Sequence, residues 1–334
     1  MQSYASGWRL GLGLAGLGEP HLAAVRCRVH REGIVARSYW PPRQPRARVL
    51  IGPGMQAFGM ADDRLDRLAR ALAASGSLVL VPFIPDQMRL RVSLAAVDDL
   101  ERAFDLLLSL SRAPQTRLFS LSVGSFAALA LASRRPEIDE VFVYAGMLSW
   151  LGCIEHALSG DEGVDPRLAP AVFINLFDQP SLGLAWLEFA RATWRSPHKC
   201  DPDHARSVTD RLSKLVPPDF RALFRIGCGV EPGGARLARA AVEHQKHRLE
   251  RLDARQFLSS VRATTHVIHG PSDSVIPHRE GLALHRALPA RAKGQLFCAR
   301  FYGHSATAMP PLWPPGPLAS DFRTHLGLLR TLAR

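Results

Sequence analysis

Runs of apolar residues alternate with amphipathic stretches through the first 148 positions. "LAAVRCRVH" (22–30) and "GIVARSYW" (33–40) predict two short strands joined by a turn at Arg31 to Gly33. "RARVLIGPG" (46–54) predicts a third strand, ending on a Gly/Pro loop. In "MADDRLDRLARALAASG" (60–76), Leu65, Leu68, Ala69 and Leu72 recur at helical spacing; Asp62 or Asp63 can cap the start and Gly76 ends the helix. "SLVLVPFIP" (77–85) is continuously apolar, as expected of a central parallel strand covered on both faces. Leu94, Val97, Leu100, Phe104 and Leu107 then form one helical stripe. "RLFSLSVG" leads into the helix "SFAALALASRR", and "EVFVYAGM" (140–147) predicts the next strand.

From Ser149 to Val261 the alternation stops. This interval holds helical stretches such as "PSLGLAWLEFARATW" and "ARLARAAVEHQKHRLERLDARQFLSSV", but no comparably apolar strand. After 262, "TTHVIHGPSD" and "GQLFCARFYGHS" predict two more strands and "LASDFRTHLGLLRTLA" a last helix. Strand and helix taken in turn imply an α/β fold, a mainly parallel sheet covered by helices on both faces. The chain therefore divides into a core over 1–147 and 263–334 and a largely helical insertion over 148–262.

Composition narrows the class. With 334 residues, 47% hydrophobic and 22% charged, the chain can bury a large core. No apolar run approaches the roughly 20 residues that span a bilayer, and "GWRLGLGLAGLGEPH" (7–21) is too short and glycine-broken for a signal peptide. A cytoplasmic protein is expected. Cys27, Cys153, Cys200, Cys228 and Cys298 are scattered with no C-x-x-C pair, so they read as reduced packing residues. The net charge of +12 raises the question of nucleic acid, and the first fifty residues hold eight arginines against Glu19 and Glu32. Those arginines lack the interleaved aromatics of a base-stacking surface, which argues against nucleic acid and leaves a basic surface able to favour anionic partners.

Three short motifs carry chemistry. "SLSVGS" places Ser122 between a buried strand and a helix, the context of a nucleophile elbow. "HGPSDSVIP" (269–277) puts Asp273 in a turn just past an apolar strand, and "FYGHSA" puts His304 after the next one. All three fall in loops at one sheet edge, in the order nucleophile, acid, base. His266, His269 and His278 crowd the Asp273 loop, but no carboxylates stand at ligand spacing, so no metal site is expected.

On the "PGM" loop, "SLSVGS", "GPSDSVIP" and "GHS", the chain resembles the α/β-hydrolases over about 23–147 and 263–333, with the middle segment where that family inserts a helical cap after the sixth core strand. The resemblance implies a serine hydrolase acting on a carboxylic ester or thioester, with Ser122 as nucleophile, His304 as general base and Asp273 orienting the imidazole. It implies oxyanion donors in the backbone N–H groups of Val123 and Met55. No cofactor is implied. Gln56 and the cap residues Trp150, Phe177 and Trp186 are candidate substrate contacts, among apolar cap positions that also include Phe173, Leu182 and Phe189. The chain departs from the family at Ser120, which stands for the usual first elbow glycine, and at Pro53, which precedes Gly54 where many relatives have His-Gly. The implied partner is a small acyl substrate, free or attached to an anionic carrier. Acyl transfer by the same triad, or a binding protein on the same fold, are the alternatives.

Overall fold

The structure, a computed structural model, describes residues 22–55, 57–59, 62–159, 168–194, 201–300, 302–304 and 315–332. Gln56, Cys200 and the 7–21 stretch lie outside the described residues. Eight strands form one sheet: β1 (Arg26–His30), β2 (Ala36–Trp40), β3 (Ala47–Gly52), β4 (Ser77–Pro82), β5 (Gln115–Leu121), β6 (Glu140–Tyr144), β7 (Thr264–His269) and β8 (Lys293–Cys298). Their spatial order is β1-β2-β4-β3-β5-β6-β7-β8; β2 runs antiparallel to both neighbours and every other pair is parallel.

Successive strand residues serve opposite layers, as the pleat requires. Leu50, Leu78, Leu80, Leu118 and Val141 pack in one core with the helices Ala95–Leu110 and Gly124–Arg134. Val49, Ile51, Val79, Val81 and Phe119 pack in a second core with the helices Asp63–Ala74 and Pro315–Leu332. Asp62, not Asp63, caps the first of these, its carboxylate accepting the Arg64 N–H at 2.9 Å. Residues 124 to 132 are buried throughout, which is why "GSFAALALA" carries no charge.

Between β6 and β7 the described residues are helical, with elements at Trp150–Ala157, Leu168–Leu176, Pro180–Trp194, Pro202–Ser213, Arg221–Gly227, Gly234–Glu250 and Arg255–Leu258. The two ends of this segment lie side by side. Leu148 O accepts the Ala254 N–H at 2.8 Å, Leu252 O accepts the Trp150 N–H at 3.3 Å, and Ser149 pairs antiparallel with Asp253. One helix, His278–Ala287 between β7 and β8, has no counterpart in the sequence reading. Its buried positions are only Glu280, Gly281 and Leu284, too narrow a stripe to stand out by periodicity.

Candidate active site

β5 ends at Leu121 and the next helix begins at Gly124, so Ser122 and Val123 must make the whole reversal. Ser122 accordingly adopts φ +53°, a left-handed conformation that costs a side-chain-bearing residue about 1 kcal/mol or more. Its N–H donates to Tyr144 O at 2.9 Å and its carbonyl accepts the Ser125 N–H at 3.0 Å, so the turn is fixed from both sides. A Cβ at Gly124 would overlap the carbonyl oxygens of Pro53 and Gly52, and one at Gly54 would stand 3.0 Å from Ser122 Cβ. The loop after β3 is thus pressed directly onto the elbow. Ser120 is fully buried, and its hydroxyl donates to Phe142 O at 3.3 Å, which satisfies the polar group in its apolar setting. Among the described residues, neither the Val123 nor the Met55 N–H has an acceptor.

Asp273 follows β7 and has no exposed side-chain surface. Its Oδ1 accepts the N–H groups of Val275 at 2.9 Å and Ile276 at 3.0 Å, the side-chain-to-backbone turn that aspartate favours. Its Oδ2 accepts from His304 Nδ1–H at 3.0 Å. Burial alone would raise this carboxyl, but the hydrogen bond and charge of His304, with the Val275 N–H, outweigh it and hold the group below its ordinary value. Because a carboxylate only accepts, Nδ1 carries the proton and Nε2 is the ring's basic end. The loop bearing His304 is held by Tyr144, whose hydroxyl donates to Gly303 O at 3.1 Å and whose ring meets Tyr302 edge-on. No hydrogen bond joins Ser122 Oγ to His304 in this structure; such contacts commonly tighten only with substrate bound.

A second imidazole touches the same carboxylate. His269, fully buried, donates from Nε2 to Ile276 O at 3.0 Å and lies 3.5 Å from Asp273 Oδ2. Its Nδ1 is buried without a partner, and burial lowers its pKa. His278 is 5.6 Å away ring to ring, and its Nε2 is 3.4 Å from Cys298 Sγ; burial lowers the imidazole and raises the thiol. His266 instead serves the sheet, stacking on Phe142 and accepting the Gln295 N–H at 3.0 Å.

The expected substrate contacts divide. Phe177 is half-buried and stacks on Phe173 with ring centroids 5.1 Å apart. Trp150 opens its helix and is buried. Trp186 is fully enclosed, packed edge-on to Phe173, and donates its indole N–H to Phe224 O at 3.0 Å. In this conformation Trp186 is a packing residue of the helical layer, because no face of it is open.

No protein-family model matches the chain, and no curated protein matches it in sequence. Solved structures do. An acylaminoacyl peptidase from Pyrococcus horikoshii superposes with a TM-score of 0.52 at 11% identity over 93% of this chain. The chain spans 42% of that protein. An esterase domain from a Rhodothermus marinus protein gives a TM-score of 0.48 at 15% identity, over 93% of this chain and 100% of that one. An alpha/beta hydrolase enzyme from a Medee basin deep-sea metagenome library gives 0.46 at 15% identity, over 92% and 96%. This chain has the α/β-hydrolase fold.

Within the α/β-hydrolase sheet, Ser122, Asp273 and His304 follow β5, β7 and β8, all at the strands' C-terminal edge. Two residues that hold this edge together were missed from sequence. Glu280 accepts the N–H groups of Leu148 at 3.0 Å and Ser149 at 2.9 Å, joining the helix after the Asp273 loop to the start of the helical segment. Asn175 donates to Leu90 O at 2.7 Å and accepts the Val92 N–H at 2.9 Å, binding the loop after β4 to the same segment. Neither sits in a motif, and only the folded chain brings their partners near. No helix among the described residues is long and apolar enough to cross a membrane.

Proposed function

We propose that the chain is a serine hydrolase that cleaves a carboxylic ester or thioester through an acyl-enzyme on Ser122. The observation that carries this reading is the 3.0 Å contact of the buried, ionised Asp273 with His304 Nδ1, at the same edge as a serine held at φ +53°. His304 Nε2 takes the proton of Ser122 Oγ as that oxygen bonds to the acyl carbon, and the carbonyl π pair moves onto oxygen. The N–H groups of Val123 and Met55, which have no acceptor among the described residues, suit that oxyanion, and Val123 stands at the N-terminus of a helix whose dipole adds to the field. Collapse expels the alcohol or thiol, which takes the proton from His304. Water then repeats the sequence and releases the acid.

Residues 148–262 act in this reading as a cap over the edge, with the half-buried Phe177 its candidate contact for the acyl chain and Trp150 and Trp186 packed within it. The architecture shared with a peptidase supports hydrolysis in general. An ester or thioester is favoured because the chain has neither an aspartate at the elbow nor a cofactor motif. Treatment with a fluorophosphonate followed by peptide mapping tests the nucleophile, and a panel of acyl esters and thioesters of graded length tests the bond. Label on a residue other than Ser122, or turnover undiminished in Ser122→Ala, refutes the reading.

A further inference from the structure

One buried polar group near the elbow has no role in the mechanism above. Gln87 lies on the short helix Pro85–Met88 that follows β4, is 5% exposed, and has its Oε1 buried with no hydrogen-bond partner. Its side chain stands between two small clefts. Val123, Phe126 and Val92 line one; Pro53, Gly54 and Met88 line the other. Both clefts therefore touch the loops that carry the Val123 and Met55 N–H groups. The other polar side chains of the first cleft are already engaged, Ser93 donating to Asp86 and Arg91 pairing at the rim with Asp178 at 3.5 Å.

Nothing in the local fold explains an unpaired amide oxygen here, and leaving one buried is unfavourable by about 1–3 kcal/mol. The backbone around it is held firmly. Leu90, fully buried at φ +59°, donates its N–H to Gln87 O at 3.1 Å, and Asn175 clasps Leu90 and Val92 from the helical segment. A persistent acceptor on a rigid support suits a donor that arrives with a ligand.

The sheet order says which part of the substrate that is. Gln87 follows β4, on one side of Ser122 after β5, whereas His304 follows β8 on the other. The leaving group must lie toward His304, which protonates it, so the group on the β4 side is the acyl chain. We propose that the Gln87 amide binds a hydroxyl on the substrate's acyl chain, so that the preferred esters or thioesters are hydroxyacyl rather than plain alkyl. A hydroxyl both donates and accepts, and so pairs with the amide in either orientation of its O and N. This inference deepens the acyl-enzyme reading and rests on it for the identity of the acyl side.

The test compares matched 3-hydroxybutyryl and butyryl esters on wild type and on the near-isosteric Gln87→Met. In wild type, kcat/KM is expected to favour the hydroxyacyl ester at least tenfold, and Gln87→Met to erase the preference mainly by slowing the hydroxylated substrate. Binding is read separately in Ser122→Ala, by the rise in melting temperature with each ester, against the same background carrying Gln87→Met. A larger shift with the hydroxyacyl ester that disappears with Gln87→Met supports the inference whether or not Ser122 is the nucleophile. Without ligand, Gln87→Met is expected to melt no lower than wild type, since it removes an unpaired buried group. Equal shifts with both esters, a preference unchanged in Gln87→Met, or a clear drop in unliganded melting temperature would overturn it. Failure of the fluorophosphonate to label Ser122 would overturn the acyl-enzyme reading instead.

Discussion

Glu280 Oε2 accepts the Ser149 N–H at 2.9 Å, and Ser149 in turn caps the Trp150–Ala157 helix through its own hydroxyl. The carboxylate is buried beside Gly152, where a Cβ would meet it at 2.5 Å, so it occupies a space shaped for it. Replacing Glu280 by Leu strands the buried Leu148 N–H and the part-buried Ser149 N–H and should destabilise by about 3 kcal/mol. Glu280→Gln keeps a carbonyl acceptor and should lose about 1 kcal/mol. Urea unfolding of both variants decides this; equal, small losses would mean that water reaches those amides.

Ser122→Ala should leave the fold intact and lower turnover by at least about a thousandfold, because members of a triad act as a unit. Ser122→Gly makes a sharper comparison. It relieves a left-handed conformation and should raise stability by a few tenths to 1 kcal/mol while being just as inactive. Calorimetry alongside an ester assay reads both, and a Gly variant less stable than Ala would show that the turn is unstrained.

Gly124→Ala places a methyl against the carbonyl oxygens of Gly52 and Pro53. Since these are backbone atoms, the β3 loop has to move, at about 3 kcal/mol. The same movement displaces the Met55 N–H. Activity should therefore fall well beyond the loss of folded protein, which normalising kcat to the folded fraction would reveal.

Burial lowers the His269 pKa, and the His304 contact outweighs burial to lower that of Asp273. Both shifts have one sign: the unfolded chain binds more protons than the folded one, so stability falls as pH falls. The His269 share is complete above about pH 6.5 and declines as pH drops toward the folded pKa; the Asp273 share declines only below about pH 4. His269→Gln retains a donor without the titration, so the fall in its urea midpoint from pH 7 to 5 should be shallower than in wild type. Parallel slopes would assign the effect to other histidines.

The sheet was most legible at β4, where burial on both faces left a continuous apolar run, and the order of Ser122, Asp273 and His304 was legible because each lies in a turn or loop after a predicted strand. What escaped depends on distance along the chain. Gln87, Asn175 and Glu280 look like ordinary polar residues of helices until the fold brings partners from 83 to 132 positions away, or in the case of Gln87 brings none. Trp186 shows the opposite difficulty, since an aromatic residue in a helix has the same signature whether it faces a ligand or a neighbouring helix.

Trp186 accordingly offers a stability prediction. Truncation to Ala empties a space walled by Phe173, Phe177 and Gly227 and frees the Phe224 carbonyl, a loss of about 3–5 kcal/mol. Activity should fall equally across acyl lengths. A change in the ranking of substrates would instead mean that the ring is uncovered during turnover.

The side-by-side pairing of Leu148 with Ala254 and of Ser149 with Asp253 has a bearing on ancestry. A segment that leaves and rejoins its host at neighbouring backbone positions imposes no span on the strands it separates. Lengthening it changes the entropy of closure only logarithmically, and β6 and β7 stay adjacent whatever lies between. The sheet with its edge loops and the helices from 150 to 253 can then diverge at different speeds, or be inherited from different parents, with a short hairpin sufficient to seal the gap. Chimeras joined at these two necks are the natural units in which this architecture can be recombined.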